Sequence, residues 1–226
     1  MIFAPDFVRL AAIILEWVLC IGVVGSTYGS MRLLQKLDKE AVVNKRVTCA
    51  VEICLCLLCG EVVWGLGEAD VLGACSVVKV LVLAVFAGCL LAACIMDVEG
   101  QMIYNYVWWV ACPTAGILLY FRDSEIGLGF LLFVLLQEVF FARLYGRADC
   151  HAFVACAMVE AALGMKMKEY LMHMLLAYVF LAFVQGFKRN IGRNGNLKKP
   201  VAFLPYITVS FWVLISLGKS DIFIRV

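Results

Sequence analysis

Charged residues are scarce in this sequence. Only 16% of its 226 residues are Asp, Glu, Lys or Arg, whereas 65% are hydrophobic and the mean hydropathy is +0.98. Soluble domains carry about 25% charged residues, so the composition excludes an ordinary water-soluble fold. The net charge is only +2, and no stretch interleaves basic with aromatic residues. Nucleic acid is therefore not expected as a partner.

Alternation of apolar and polar residues is also lacking, which excludes a membrane-spanning barrel. The apolar runs are continuous instead, and a helix needs about 20 apolar residues to cross a bilayer. The sequence predicts an all-α integral membrane protein, a polytopic bundle of about eight transmembrane helices in a single membrane domain over residues 1–226. The predicted spans lie near residues 8–28, 47–66, 71–96, 104–121, 126–145, 150–164, 170–187 and 201–217.

Lysine and arginine are unevenly distributed over the predicted loops. Twelve fall on one side, mainly in the basic loops at about 31–46 and 188–200, and six on the other. Because basic loops remain in the cytoplasm, we expect a multi-pass plasma-membrane protein with its N-terminus outside. Anionic lipid of the bilayer is the expected partner of these loops.

Metal-binding patterns are sparse. Most of the eleven cysteines fall inside apolar runs, where cysteine behaves as a small hydrophobe. Cys56 and Cys59 have the spacing of half a zinc site, but no second pair follows. No metal and no cofactor is predicted.

Two aspartates lie at the ends of apolar runs. Asp97 follows the run 77–96, and Asp149 follows the run 126–145. Two predicted crossings separate them, and two crossings return a chain to the side that it left. We therefore expect both carboxylates at the cytoplasmic face.

Position alone leaves two interpretations open. An aspartate at a helix junction can cap the next helix by accepting hydrogen bonds from its free N–H groups. Alternatively, two neighbouring carboxyls can share one proton and titrate separately. One then acts as a base towards water and the other as an acid towards a carbonyl oxygen, as in aspartic proteases.

Further ionisable residues fall inside the predicted spans, where charge is costly and indicates partners or function. Glu52 and Glu138 are expected near the depth of the aspartates. The residues placed nearer the outer face are expected to pair or to snorkel; they are Glu61, Lys79, Glu160 and His173.

Two short segments resemble the type IV prepilin peptidases, membrane aspartic proteases of the GxGD type. Asp97 with Ile103 and Asn105 is similar to that family's aspartate and its following turn. Gly146-Arg-Ala-Asp149 is similar to the glycine-x-glycine-aspartate signature. Weaker similarities lie at Val51-Glu52 and at residues 200–205, so the resemblance covers most of the chain from about residue 45 to residue 211.

The resemblance implies an aspartic endopeptidase that removes a short basic leader, usually after a glycine, from prepilin-like substrates inserted in the membrane. Asp97 and Asp149 are the implied catalytic residues. The implied supporting and substrate-binding residues are Glu52, Asn105, Gly146, Ala148 and His151. The first predicted cytoplasmic loop contains no cysteine, which implies a peptidase-only form without a methyltransferase region, similar to those of tight-adherence pili.

Three positions depart from the family pattern. Ala148 replaces the second glycine of the signature, Tyr104 replaces a proline, and His151 replaces a common lysine. Two other classes therefore stay open: a noncatalytic pilus-assembly relative, and an ion- or proton-coupled transporter. A transporter typically shows internal repeats and spans broken at mid-membrane, of which only Pro113 and scattered glycines give a hint.

Overall fold

The computed structural model describes residues 5–37, 74–100, 102–120, 127–143, 146–190 and 201–222. These residues form seven α-helices and a short 3₁₀ turn, and no strand occurs among them, so the all-α prediction is confirmed for this part of the chain. The elements are α1 (Pro5–Leu37), α2 (Ala74–Gly100), α3 (Asn105–Tyr120), α4 (Leu128–Phe140), the 3₁₀ turn (Phe141–Arg143), α5 (Arg147–Ala162), α6 (Met167–Asn190) and α7 (Leu204–Ile222).

Each predicted span within these ranges coincides with one helix, whereas the span predicted at 47–66 lies outside the described residues. Three helices contain stretches long and apolar enough to cross a membrane, namely Trp17–Lys36, Val78–Glu99 and Met167–Phe187. The total of eight spans stays a prediction. The first helix extends beyond the predicted span 8–28 and ends at Leu37. At the start of this extension, Arg32 Nε donates to the Tyr28 hydroxyl at 2.8 Å.

Helices α1 and α2 pack closely because small residues face each other. A Cβ added to Gly88 on α2 would collide with the hydroxyl of Ser26 on α1. That hydroxyl is 3.2 Å from the Ala84 carbonyl, and the Thr27 hydroxyl is 3.4 Å from the Gly88 carbonyl. Small residues with hydroxyl donors are typical of helix contacts in apolar surroundings, so Gly88 sets the approach of this pair.

The rest of the core is built around α5, which packs against α3, α4, α6 and α7. Alanine and cysteine fill much of its buried surface, so neighbouring helices approach closely. Helix α2 packs against α1, α3 and α7. Helices α3 and α7 therefore bridge α2 and α5, and the C-terminal end of α2 lies beside the N-terminal end of α7.

A glycine ends α5. Gly164 has a φ of +85°, a conformation that glycine adopts without a Cβ clash. Its N–H donates to the Ala161 carbonyl at 3.0 Å, and the Met165 N–H donates to the Glu160 carbonyl at 3.0 Å. This pair of hydrogen bonds is a Schellman motif, and it fixes the last turn of α5, which carries Glu160.

The surface of α4 is apolar on its outside. Its only buried residues are Phe130 and Gln137, while large apolar side chains point away from the bundle. The exposed ones are Leu128, Leu131, Leu132, Leu135, Leu136, Val139 and Phe140. A continuous exposed apolar face of this kind indicates an apolar environment or a partner, which is compatible with a membrane protein.

Candidate functional site

Asp97 lies in the last turn of α2 and is half-buried. Its Oδ2 accepts a hydrogen bond from the Leu204 N–H at 3.0 Å. Leu204 is the first residue of α7, so this carboxylate satisfies a free N–H at the start of that helix. Asp97 does act as a helix cap, but it caps α7 rather than the next helix along the chain.

Asp149 is the third residue of α5 and is also half-buried. The residue at the N-cap position is Gly146, and no side chain caps the helix. Asp149 is not at the predicted N-cap position, because α5 begins at Arg147 instead of at residue 150, but its carboxyl does accept a hydrogen bond from the backbone N–H of Gly146 at the start of the helix. Its carboxyl lies within the first turn, where it is not the N-cap.

The surroundings of Asp149 disfavour its ionised form. Burial, and then the nearby negative charge of Asp97, raise the pKa of the Asp149 carboxyl to about 6, against a backbone hydrogen bond from Gly146 that lowers it. The two carboxyls therefore influence each other electrostatically across the space between α2 and α5. The expected separation of roughly 3–7 Å, which allows one shared proton or one bridging water, stays a prediction.

Gly146 is predicted from the resemblance as a supporting residue. It is exposed, its φ of −67° and ψ of 152° are ordinary extended values, and an added Cβ would lie 3.4 Å from Asp149 Oδ2. That distance is normal van der Waals contact. Neither the backbone conformation nor the available space therefore requires glycine at this position.

A cavity of about 580 Å³ lies between α3 and the first two turns of α5. It brings together three of the predicted supporting residues, Asn105, Ala148 and His151. Its full lining consists of Asn105, Trp108, Trp109, Cys112, Pro113, Arg147, Ala148 and His151. The aspartates are not among these residues, although Asp149 directly follows Ala148, so the cavity and the acids are neighbouring regions.

His151 is held by a residue of another helix. Its Nδ1 lies 3.0 Å from Oε1 of Glu138 on α4, and both side chains are more than a third exposed, at 36% and 37%. The ring also lies 6.1 Å from the Trp108 ring. Glu138 thus lies beside the cavity, whereas Glu52, predicted at a similar depth, lies outside the described residues.

The two tryptophans of the cavity were not predicted from the sequence. The side chain of Trp108 is only 5% exposed, and its indole N–H has no acceptor among the described residues. A signal was present, because Asn105, Trp108, Trp109 and Cys112 recur at the spacing of one helix face. Arg147 and His151 are four residues apart at the start of α5, so they also lie on one face of their helix.

A second buried carboxylate lies at the far end of α5. Glu160 Oε1 is 2.6 Å from Nδ1 of His173 on α6, and both side chains are fully buried, at 0% exposure. The two residues were expected to pair or snorkel, and they pair with each other. His173 Nε2 lies 3.0 Å from the Ile207 carbonyl, which can only accept, so Nε2 carries a proton. Nδ1 and the Glu160 carboxyl lie at ion-pair distance, but their orientation does not meet the geometry of a hydrogen bond.

Aromatic rings surround this pair. Phe153, Tyr170 and Phe211 lie with their ring centroids 5.5, 6.2 and 5.9 Å from that of His173. The Tyr170 hydroxyl donates to Gln137 on α4. The polar groups therefore connect α4, α5, α6 and α7 inside an otherwise apolar core.

No protein-family model matches the chain, and no curated protein or solved structure matches it either. Within the described ranges, no group of three or more His, Cys, Asp and Glu side chains is arranged to hold a metal ion. The side chains themselves therefore supply the evidence on function.

Proposed function

We propose that this protein is a membrane-embedded aspartic endopeptidase that removes the leader from prepilin-like substrates, with Asp97 and Asp149 as its catalytic acids. The observation that carries the proposal is the arrangement of these acids. Both are half-buried, they belong to helices bridged by the same two neighbours, and the charge of one raises the pKa of the other. No Lys, Arg or His among the described residues forms an ion pair with either.

The surroundings of the two acids suggest different roles. Burial disfavours the ionised form of Asp97, whereas hydrogen bonds from the backbone N–H groups of Leu204 and Phe203, at the positive end of the α7 dipole, act against this effect. Asp149, with its pKa raised to about 6, retains a proton more readily. Asp97 is therefore the base that takes a proton from water, and Asp149 is the acid that donates a proton to the carbonyl oxygen of the scissile bond.

Several features support placing this site at a membrane boundary. Three helices have the length and apolar character of membrane spans, and Asp97 lies near the end of one of them, Val78–Glu99. The lysine and arginine distribution favours the cytoplasmic side for that boundary. A substrate with a basic leader and an apolar stem would present its scissile bond at the same depth.

The proposal is tested by co-expressing the chain with a prepilin-like substrate in a host that lacks its own prepilin peptidase. Asp97→Asn and Asp149→Asn should each lower the cleavage rate by roughly 10²–10⁴-fold, the usual contribution of a positioned acid or base. Glu99→Gln is the matched control, because Glu99 is an exposed acid of the same helical turn as Asp97. It loses the same charge and should cleave at the parent rate.

Cleavage that persists in either aspartate variant, with membrane expression confirmed, would overturn the catalytic assignment. Absence of cleavage by the parent chain with a panel of prepilin-like substrates would favour the noncatalytic pilus-assembly relative. Loss of cleavage in Glu99→Gln as well would show that net charge at this boundary, and not the acid pair, controls the reaction.

One observation favours a second candidate, a proton-coupled transporter. The Glu160–His173 pair is fully buried, and both of its members can bind a proton; intramembrane ionisable pairs frequently belong to proton relays. This function predicts proton flux into sealed proteoliposomes that is lost in Glu160→Gln and retained in Asp97→Asn. The peptidase proposal predicts no such flux.

A further inference from the structure

The cavity between α3 and α5 has an excess of hydrogen-bond donors. Arg147 contributes a guanidinium group with five N–H donors, Asn105 an amide, and Trp108 an indole N–H. The Trp108 donor is the most informative, because the ring is 95% buried and its N–H has no acceptor among the described residues. A buried donor without a partner costs about 1–3 kcal/mol, so an oxygen acceptor bound against the Trp108 indole N–H would recover that cost.

The arginine that lines the cavity also favours an anionic ligand. Arg147 is exposed, and no carboxylate within the described ranges forms an ion pair with it. His151 faces Glu138 at the edge of the cavity. The cavity therefore offers one guanidinium without an ion-pair partner among the described residues, and a guanidinium pairs well with phosphate oxygens.

The rim of the cavity is apolar. Trp109 is 77% exposed, and Pro113, one turn further along α3, is also exposed. The same helix exposes further apolar side chains, Val110 and Ile117. A ligand held by Arg147 and Trp108 would thus have an apolar surface beside it, where an acyl chain fits and a small soluble anion gains nothing.

We propose that this cavity binds the phosphate headgroup of an anionic phospholipid, with its acyl chains over Trp109 and Pro113. Basic pockets between membrane helices are suited to such headgroups, and tryptophan is favoured at the headgroup level. The inference uses the membrane placement proposed above but does not depend on peptidase activity. It predicts a lipid-binding site that stays intact when the catalytic aspartates are replaced.

The test uses the purified full chain in a neutral detergent, titrated with short-chain phosphatidylglycerol while the apparent unfolding temperature is measured. Saturable stabilisation is expected. Arg147→Gln should raise the half-saturating concentration about tenfold, which corresponds to one lost charge-assisted hydrogen bond. Trp108→Phe, which keeps a ring but removes the N–H donor, should raise it about fivefold.

Two arms identify the ligand. Short-chain phosphatidylcholine, which carries no net charge, should stabilise at least tenfold more weakly, and glycerol 3-phosphate should not stabilise at comparable concentrations. Equal stabilisation by phosphatidylcholine would overturn the anionic preference. Equal stabilisation by glycerol 3-phosphate would overturn the lipid assignment in favour of a soluble phosphate ligand.

Two control variants separate lipid binding from folding and from peptidase activity. Lys36→Gln removes an exposed charge from the end of α1, a helix that contributes no lining residue to the cavity, and should leave the half-saturating concentration unchanged. Asp149→Asn should also bind lipid at the parent concentration, even though cleavage is lost. If Arg147→Gln and Trp108→Phe respond to phosphatidylglycerol as the parent does, the proposed site is wrong.

Discussion

The molecule contains acidic groups in two contrasting environments. Glu160 is fully buried and lies 2.6 Å from His173, so each of these two ionisable groups has a partner inside the core. Asp97 and Asp149 are half-buried, and no ion pair with a cation is found for them among the described residues. We infer from this difference that the Glu160–His173 pair stabilises the fold. Asp97 and Asp149 disfavour each other's ionised form and remain available for chemistry.

The sharpest way to break this comparison is to separate activity from stability. Asp97→Asn and Asp149→Asn should lower cleavage by roughly 10²–10⁴-fold while they leave most of the folding free energy intact. Glu160→Leu should do the reverse, lowering the yield of folded protein while the folded fraction cleaves at the parent rate. Cleavage per folded molecule, measured on each purified variant, distinguishes the two roles. Full activity in an aspartate variant would contradict the contrast.

The second prediction concerns the cost of opening the buried pair. Replacing one partner, as in Glu160→Leu, should lower the free energy of unfolding in detergent by about 3 kcal/mol, because a buried polar group loses its partner. Replacing both, Glu160→Leu with His173→Leu, should restore much of that loss, since an apolar pair of similar size avoids the desolvation penalty. A double variant that is less stable than the single one would show that the pair has a role beyond mutual neutralisation.

The third prediction uses pH. The pKa of Asp149 is raised from 3.8 to about 6 in the folded protein, so the folded state binds this proton more tightly than the unfolded state. Stability should therefore increase as the pH falls through about 6, and the parent should lose stability between pH 5 and pH 8 relative to Asp149→Asn. Unfolding temperatures at both pH values test this. Glu99→Gln should follow the parent, and parallel curves for Asp149→Asn and the parent would refute the shift.

The smallest effect is expected at the exposed pair of His151 and Glu138. Both side chains are more than a third exposed, and exposed pairs contribute about 0–1 kcal/mol. Glu138→Gln should therefore change the unfolding free energy by less than about 1 kcal/mol. A larger loss would show that this pair contributes to the unfolding free energy as the buried pair does, and would contradict the difference between the two environments.

Much of the fold was predictable from the sequence, because a continuous apolar run has few alternatives to a helix. Each predicted span inside the described ranges coincides with a helix. The start of α5 was not predicted, since Gly146 and Asp149 are both acceptable N-caps by residue type. Only the three-dimensional structure shows that Gly146 takes that position.

The candidate site was predictable only in part. Sequence position predicts Asp97 and Asp149 as candidates, and this stays a prediction, but it does not predict that the N–H of Leu204 contacts Asp97, because 107 residues separate them. Glu160 and His173 were each recognised as costly inside an apolar span, yet their pairing depends on how α5 and α6 pack. The unpartnered Trp108 N–H became apparent only from burial, which a sequence does not report.

The most direct test of the central claim, that the two aspartates form one electrostatically coupled site, is a titration of their carboxyl groups. Isotope-edited infrared spectra of aspartate-labelled protein between pH 4 and pH 8 report the protonated carboxyl. We expect a carboxyl that titrates near pH 6, disappears in Asp149→Asn, and moves to lower pH in Asp97→Asn, because the neighbouring charge has been removed. A midpoint that is unchanged in Asp97→Asn would contradict the account.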